Sequence, residues 1–289
     1  MQQLYILPFD HRATFIRDLF GYEEPLSKKQ KSEVRSCKEV IWQAFLQAYR
    51  KESKKKNLGI LVDEEFGGKI LAEAKKLGVV RIIAAEKSGQ KVFDFEYGTK
   101  FRQHILKNRP DYSKVLVRYN PENDNSIQLK RLKTLNDFCS KKKIGFLFEL
   151  LVPATESQSK AKDYDSRLRP VLTRRAIMEI RAFGIEPDVW KMEAMPKKSG
   201  WKGIIEAAKY KNKKKAKIIV LGRAGSKMKV RSWLKTASAF PEIIGFAVGR
   251  TIFFSPLKKY HEKKITRKQA IDSIAKEFEY FIRCWKSFI

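Results

Sequence analysis

Lys141-Lys142-Lys143-Ile144-Gly145-Phe146-Leu147-Phe148-Glu149-Leu150-Leu151 carries the pattern on which the fold turns. Three cations close an amphipathic stretch, Ile127–Ser140, and an apolar run with one carboxylate follows at once. Cations in a last helical turn complement the helix macrodipole. A short, nearly continuous apolar run reads as a strand buried on both faces. This unit of helix, basic stop and buried strand recurs along the chain.

Outward from it, further apolar or β-branched runs lie at Tyr5–Phe9, Gly59–Val62, Val79–Ala85, Lys114–Tyr119, Asp188–Met192, Lys217–Leu221 and Ile243–Val248. Between them fall helical periodicities at Glu33–Arg50, Lys69–Leu77, Lys100–Lys107, Thr173–Phe183, Gly200–Tyr210 and Lys227–Ala239, and Arg267–Lys286 closes the chain. Thr266 suits the cap of that last helix, and Gly78 and Gly184 suit helix stops. Strict strand–helix alternation implies a parallel sheet, and eight units predict an α/β fold, a single (β/α)8 TIM barrel over residues 1–289. A doubly wound open sheet is the alternative, but no Gly-x-Gly-x-x-Gly turn follows the first strand. The polar stretch Pro153–Arg169 after strand five is long enough to be a lid over the barrel mouth.

The chain has 289 residues, of which 43% are hydrophobic, enough for one large core. No apolar stretch is long enough for a bilayer span, so no membrane partner is expected. Met1-Gln2-Gln3-Leu4-Tyr5 enters an apolar run without a basic region, so no signal peptide is expected. Cys37, Cys139 and Cys284 are odd in number and far apart, which fits a reducing, cytoplasmic setting. With His11, His104 and His261 equally scattered, no zinc site at short spacing is expected.

A net charge of +30 calls for an anionic partner. Its densest runs, Lys54-Lys55-Lys56, Lys141-Lys142-Lys143 and Lys213-Lys214-Lys215, each end a helical pattern ahead of a strand. In a barrel they fall on the amino-terminal, non-catalytic face. They also lack the interleaved aromatic residues of a single-strand-binding groove, so a solvated basic face is preferred and nucleic acid is kept as the alternative.

A second set of charges sits where barrels build active sites, at the carboxyl ends of strands. Asp10, Asp63, Glu86, Arg223 and Arg250 lie at or just past strand ends, while Lys114, Glu149 and Lys191 lie within strands. Lys191, in Pro187-Asp188-Val189-Trp190-Lys191-Met192-Glu193, is either a strand-end lysine reaching solvent or a buried amine. A desolvated lysine near another cation becomes a nucleophile toward carbonyls. Glu149 and Lys114 form either a structural ion pair or, with Lys191, an amine-catalysis set in which the carboxylate moves protons. Leu221-Gly222-Arg223-Ala224-Gly225 and Ala247-Val248-Gly249-Arg250-Thr251 close strands seven and eight. Glycine admits an anion to the backbone, arginine binds phosphate in a fork, and barrels commonly bind phosphate there.

These residues together resemble a known family, the class I, Schiff-base aldolases of the tagatose-bisphosphate aldolase type. The resemblance is nearest to the aldolase-like domain fused to a sugar kinase in bacterial inositol catabolism. It runs through Phe9-Asp10-His11-Arg12, Leu61-Val62-Asp63-Glu64-Glu65-Phe66-Gly67, Glu86-Lys87-Ser88-Gly89, Lys114–Tyr119, Phe148-Glu149-Leu150, Asp188–Glu193 and the two Gly-Arg turns. It implies Lys191 as the Schiff-base lysine, Glu149 as the proton-transferring glutamate and Lys114 as an auxiliary lysine. Asp10, Arg12, Asp63 and Glu86 would bind substrate, and Gly222, Arg223, Gly249 and Arg250 its phosphate. The implied reaction is reversible aldol cleavage of a phosphorylated ketose or keto acid, such as 2-deoxy-5-keto-gluconate 6-phosphate or a ketose bisphosphate. It needs no metal or organic cofactor. The likeness is to the aldolase part alone, so no kinase activity is expected. Arg118 and the Gly-Arg form of the strand-seven turn depart from the simpler tagatose-bisphosphate pattern and leave the substrate open. The expected partners are a phosphorylated sugar and, in a homo-oligomer, further copies of the chain. The alternatives are a sugar-phosphate isomerase with Glu149 as base, or a non-catalytic barrel that binds polyanions.

Overall fold

Side chains alternate across a strand, so in a strand buried on both faces one set meets the surrounding helices and the other faces the barrel axis. The protein, seen in a computed structural model that describes residues 2–210 and 217–289, displays both sets. The eight strands are β1 (Leu4–Pro8), β2 (Leu58–Val62), β3 (Val80–Ala84), β4 (Tyr112–Arg118), β5 (Gly145–Leu151), β6 (Val189–Glu193), β7 (Ile218–Leu221) and β8 (Ile243–Ala247). They pair in chain order, all parallel, and β8 returns to β1 to close the barrel. Closure is tight: Gly245 takes a φ of 151°, and a Cβ there would lie 2.0 Å from the Leu4 carbonyl oxygen. Only glycine permits that approach.

Leu4, Ile6, Leu61, Ile82, Leu147, Val189 and Ile219 form a dry cluster separate from the main core. The alternate residues Phe146, Phe148, Leu150, Trp190, Met192 and Val220 join the main core beneath the helices. Burying each such large side chain contributes about 1.5–3 kcal/mol. Two residues beyond Leu147 and Val189, on the same faces of β5 and β6, stand Glu149 and Lys191. The lysine that is out of place in an apolar run therefore points into the barrel.

The helices are α1 (Ala13–Phe20), α2 (Lys28–Lys51), α3 (Glu64–Lys76), α4 (Phe101–Asn108), α5 (Ser126–Lys142), α6 (Glu156–Ser159), α7 (Arg169–Ala182), α8 (Lys198–Lys209), α9 (Lys227–Ala237), α10 (Arg250–His261) and α11 (Arg267–Phe288). Gly78 and Gly184 stop their helices at positive φ, and Thr266 caps α11 with Gln269 closing the capping box. Other boundaries differ from the sequence reading. α2 starts at Lys28 because Ser27 and Gln30 form a capping box, and β4 starts at Tyr112. α3 starts at Glu64 because the Asp63 carboxylate accepts from Phe66 N. α1 and α10 were not read at all; α10 follows the second Gly-Arg turn directly, and its internal Pro256 obscures the helical pattern. The stretch Pro153–Arg169 is partly helical, with α6 and a π-helical turn at Tyr164–Leu168.

Lys141 and Lys142 occupy the last turn of α5, and Lys143 ends it in the left-handed conformation just before β5. Lys54-Lys55-Lys56 likewise precedes β2. Both runs lie at the amino end of the barrel; the run Lys213-Lys214-Lys215 falls outside the described residues. Among the described residues, no helix is long and apolar enough to cross a membrane.

Candidate active site

The inward faces of β4, β5 and β6 bring three ionisable side chains together with two from the loops after β1 and β3. Lys114 Nζ donates to Asp10 Oδ2 at 2.9 Å and to Glu86 Oε1 at 2.6 Å. It also lies 3.0 Å from Glu149 Oε2, and the same oxygen is 2.8 Å from Lys191 Nζ. Lys114, Glu149 and Lys191 are only 1%, 6% and 4% exposed. Charges so deeply buried persist only when paired. Asp10, Glu86 and Glu149 spend their charge on ammonium groups, and among the described residues no group of three or more His, Cys, Asp or Glu is placed to hold a metal ion.

Burial alone would lower the Lys114 pKa, but Asp10, Glu149 and Glu86 overcome it and hold the ammonium well above its ordinary value. Three carboxylates therefore keep Lys114 charged. Burial also opposes ionisation of Glu149, yet Lys114 and Lys191 outweigh it and bring its carboxyl below the usual range. Asp10 behaves in the same way: burial is overcome by Lys114, His11 and Lys191. Glu86 is the exception, pushed up by burial against Lys114 and with the help of Asp10.

His11 has no role in the sequence reading, where it stands only within Phe9-Asp10-His11-Arg12 and among three scattered histidines. Burial, with Lys191 and Lys114 nearby, pushes its imidazole down to about 4 against the pull of Asp10 and Glu149, so it is neutral at pH 7. Its Nδ1 lies 3.9 Å from Asp10 Oδ1 and has no hydrogen-bond partner among the described residues. The available signal was its position, directly after a strand-end aspartate. Glu193 was also overlooked as a site residue. Two residues past Lys191, it accepts from Val152 N at 3.1 Å and holds Arg223 Nε at 3.1 Å.

The two Gly-Arg turns border a cavity of about 410 Å³ that Lys191, Glu149 and His11 also line. Arg223 and Ala224 adopt positive φ values of 45° and 50°. Such strain in non-glycine residues costs about 1–3 kcal/mol each and is retained where the surroundings impose it. Here Thr251 Oγ1 pins the turn by donating to the Gly225 carbonyl at 2.8 Å. Gly249 is needed for a reason beyond anion access: a Cβ would stand 2.3 Å from the Pro8 carbonyl oxygen. Both arginines already have carboxylate partners. Arg223 meets Asp165 at 3.1 Å in addition to Glu193, and Arg250 meets Asp18 at 3.0 Å while lying over Phe254.

A smaller cavity of about 130 Å³ continues from this one past Asp10, Arg12, Glu86 and Lys114. Arg12 borders it but is committed to structure, donating to the Glu86 carbonyl and pairing with Glu96, each at 2.5 Å. Asp63 requires a correction. It is 1% exposed, caps α3 and pairs with the buried Lys38, and it lines neither cavity. Its place at a strand end suggested a ligand group, but an aspartate there serves equally as the cap of the next helix.

Solved structures of similar shape include three informative matches. An archaeal fructose 1,6-bisphosphate aldolase aligns with a TM-score of 0.63 at 11% identity, covering 99% of this chain and 94% of its own. The fructose-bisphosphate aldolase from Slackia heliotrinireducens gives 0.61 at 11%, covering 96% and 86%. A protein from Corynebacterium glutamicum (Brevibacterium flavum) gives 0.59 at 15%, covering 96% and 86%. At these identities the likeness concerns the fold. No curated protein matches the chain. One family profile does, over residues 1–288, under the description "Uncharacterized protein conserved in bacteria (DUF2090)".

Proposed function

The chain belongs to that DUF2090 family, and we propose that it is a class I aldolase, cleaving or forming a phosphorylated ketose or keto acid through an iminium on Lys191. The observation that carries this reading is one oxygen, Glu149 Oε2, lying 2.8 Å from Lys191 Nζ and 3.0 Å from Lys114 Nζ in a nearly dry site. The aldolase folds among its structural neighbours agree with it. Its candidate substrates are 2-deoxy-5-keto-gluconate 6-phosphate and ketose bisphosphates.

Lys191 must lose a proton before it attacks, and Glu149 is the acceptor beside it. The amine adds to the ketone carbon, and Glu149 returns its proton to the carbinolamine hydroxyl, which leaves as water to give the iminium and restores the carboxylate. Glu149 then takes the proton of the hydroxyl two carbons away as the intervening C–C bond breaks. The bonding electron pair passes into the iminium to give an enamine, and an aldehyde leaves. Protonation and hydrolysis free the ketone and regenerate Lys191. While Lys191 is neutral, Glu149 has lost one of its two cations and becomes the stronger base. Lys114 stays charged and fixes Asp10, Glu86 and Glu149 in place. His11, neutral and facing the same cavity, passes protons to and from the carbinolamine. Gly222, Arg223, Gly249 and Arg250 bind the phosphate, for which Arg223 exchanges a carboxylate partner. Asp10 and Glu86 meet substrate hydroxyls. Three buried, unbridged cysteines support a reducing compartment such as the cytoplasm.

Incubation with phosphorylated ketoses and keto acids, with products followed by NMR, tests the reading. Aldehyde and ketone fragments from the wild type, absent with Lys191→Met, are expected. An isomerised product with no cleavage, or cleavage that survives Lys191→Met, would overturn it.

A further inference from the structure

Resting on the aldolase reading, we propose that Gln90 is a specificity-determining residue: with Glu86 it binds a hydroxyl on the aldehyde half of the substrate, so that hydroxylated aldehydes are selected over deoxy ones. After β3 the chain makes a small hairpin. Glu86 bridges Phe95, Lys87 N donates to the Asp94 carbonyl at 2.9 Å, and Glu96 N donates to the Ala85 carbonyl at 3.0 Å. Gly89 takes a φ of 74° between the two arms, and Gln90 follows it. Two hydrogen bonds then hold Gln90. Arg118 Nη1 donates to its backbone carbonyl at 2.9 Å, and Asp94 N donates to its side-chain Oε1 at 2.5 Å. The second bond decides which way the amide faces, because the reversed amide would set N–H against N–H. Nε2 is the end left over, and it is buried without a hydrogen-bond partner among the described residues.

Glu86, on the same hairpin, is left in a similar state. Its Oε1 accepts from Lys114 at 2.6 Å, while its Oε2 is buried and has no hydrogen-bond partner among the described residues. Both residues line the cavity of about 130 Å³, together with Lys191 and Glu149. One offers an N–H and the other a carboxylate oxygen. A hydroxyl uses both, its lone pair meeting the amide and its proton the carboxylate. A site built around a hydroxyl rejects the analogue that lacks one, because its buried polar groups are then left unpaired. The Gly-Arg turns line the larger cavity, and Lys191 and Glu149 line both. With the phosphate of the ketone half at those turns, the aldehyde half falls in the smaller cavity, beside Gln90. A ketose bisphosphate releases an aldehyde with a hydroxyl on the neighbouring carbon, whereas 2-deoxy-5-keto-gluconate 6-phosphate releases one with a methylene there. Gln90 and Glu86 favour the first.

The test uses probes without a carbonyl, so binding does not depend on amine chemistry. Affinities of the 6-phosphates of glucitol, mannitol and galactitol are measured by calorimetry against those of hexyl phosphate and hexanediol monophosphate. At least one hexitol phosphate is expected to bind about tenfold or more tightly than the deoxy probes. Gln90→Glu keeps the acceptor for Asp94 N and replaces the donor at the other end, and should bring the hexitol phosphates down to the level of the deoxy probes. Gln90→Met, which lacks the donor and adds no charge, should do the same. Equal affinity for the two kinds of probe in the wild type, or an advantage that survives both substitutions, overturns the inference. A loss of equal size for both kinds marks a structural role for Gln90 and overturns it too. Reductive trapping at Lys191 reports separately on the aldolase reading: a hydroxyl advantage without an adduct defeats that reading alone, and an adduct without the advantage defeats this inference alone.

Discussion

The two ends of the barrel use the same residue types to opposite effect. At the amino end, Lys141, Lys142 and Lys143 are exposed and close a helix, where solvent screens them. At the carboxyl end, Lys114 and Lys191 are almost fully buried and share the single oxygen Glu149 Oε2. The chain's net charge of +30 counts both alike. What separates them is desolvation: a surface cation has water as its partner, while a buried one must be matched by specific carboxylates at fixed distances. Charge number therefore says little about function here, and charge burial says much.

The largest expected effect falls on Glu149. Glu149→Gln removes the proposed proton acceptor while keeping the shape, and cleavage should drop by about 10²–10⁴-fold. Trapped adduct on Lys191 should still form, more slowly. Steady-state kinetics beside intact-mass analysis checks both parts; full activity in this variant would equate the two ends of the barrel.

Lys114→Met should be the most damaging to stability, because it leaves three buried carboxylates facing one another. Removing one partner of a buried network costs about 3–5 kcal/mol. Urea unfolding would measure it. A loss near zero would mean that water reaches the cluster as freely as it reaches the surface runs.

The pH dependence of the same pair of proteins sharpens the comparison. Asp10 and Glu149 have lowered folded-state values, so their contribution is present above the ordinary carboxylate range and is lost as pH falls through the lowered values. Lys114 is raised, so its contribution is present below the ordinary lysine range, about 10.4, and is lost only as pH climbs through the raised value. Glu86, raised, works the other way: its contribution is present in acid and is lost as pH climbs through the raised value, so it softens the fall on the acid side. Stability of the wild type relative to Lys114→Met should therefore form a plateau from about pH 5 to about pH 10. A difference confined to a narrow band near neutrality would contradict the buried pairing.

The smallest effect is expected at the other end. Replacing Lys141, Lys142 and Lys143 together with glutamine should leave cleavage unchanged and move Tm by no more than about 2 °C. Thermal unfolding and the cleavage assay would reveal any larger role for that face.

The strand–helix alternation was legible because both-face burial makes each strand an apolar run and each helix ends in cations or glycine. Lys191 was legible for the same reason, as a charge inside such a run. α10 was not, since its first residues double as the Gly-Arg turn and Pro256 breaks its pattern. Asp63 was misread because a strand-end carboxylate can meet a ligand or cap a helix, and only the position of Lys38 and the α3 amide decides. His11 and Glu193 went unremarked because their significance depends on side chains distant in sequence: Asp10's neighbour faces Lys191 and Glu149, and Glu193 reaches Arg223. Nothing local in the sequence encodes those meetings. The engagement of Arg223 and Arg250 by carboxylates is of the same kind.

In the proposed reaction Lys191 is a nucleophilic amine. Borohydride reduction in the presence of dihydroxyacetone phosphate, then malonic semialdehyde and other small carbonyls, followed by peptide mass mapping, tests it most directly. A reduced adduct is expected on the peptide that contains Lys191 and is missing in Lys191→Met. An adduct confined to another lysine, or none with any carbonyl compound, would contradict it.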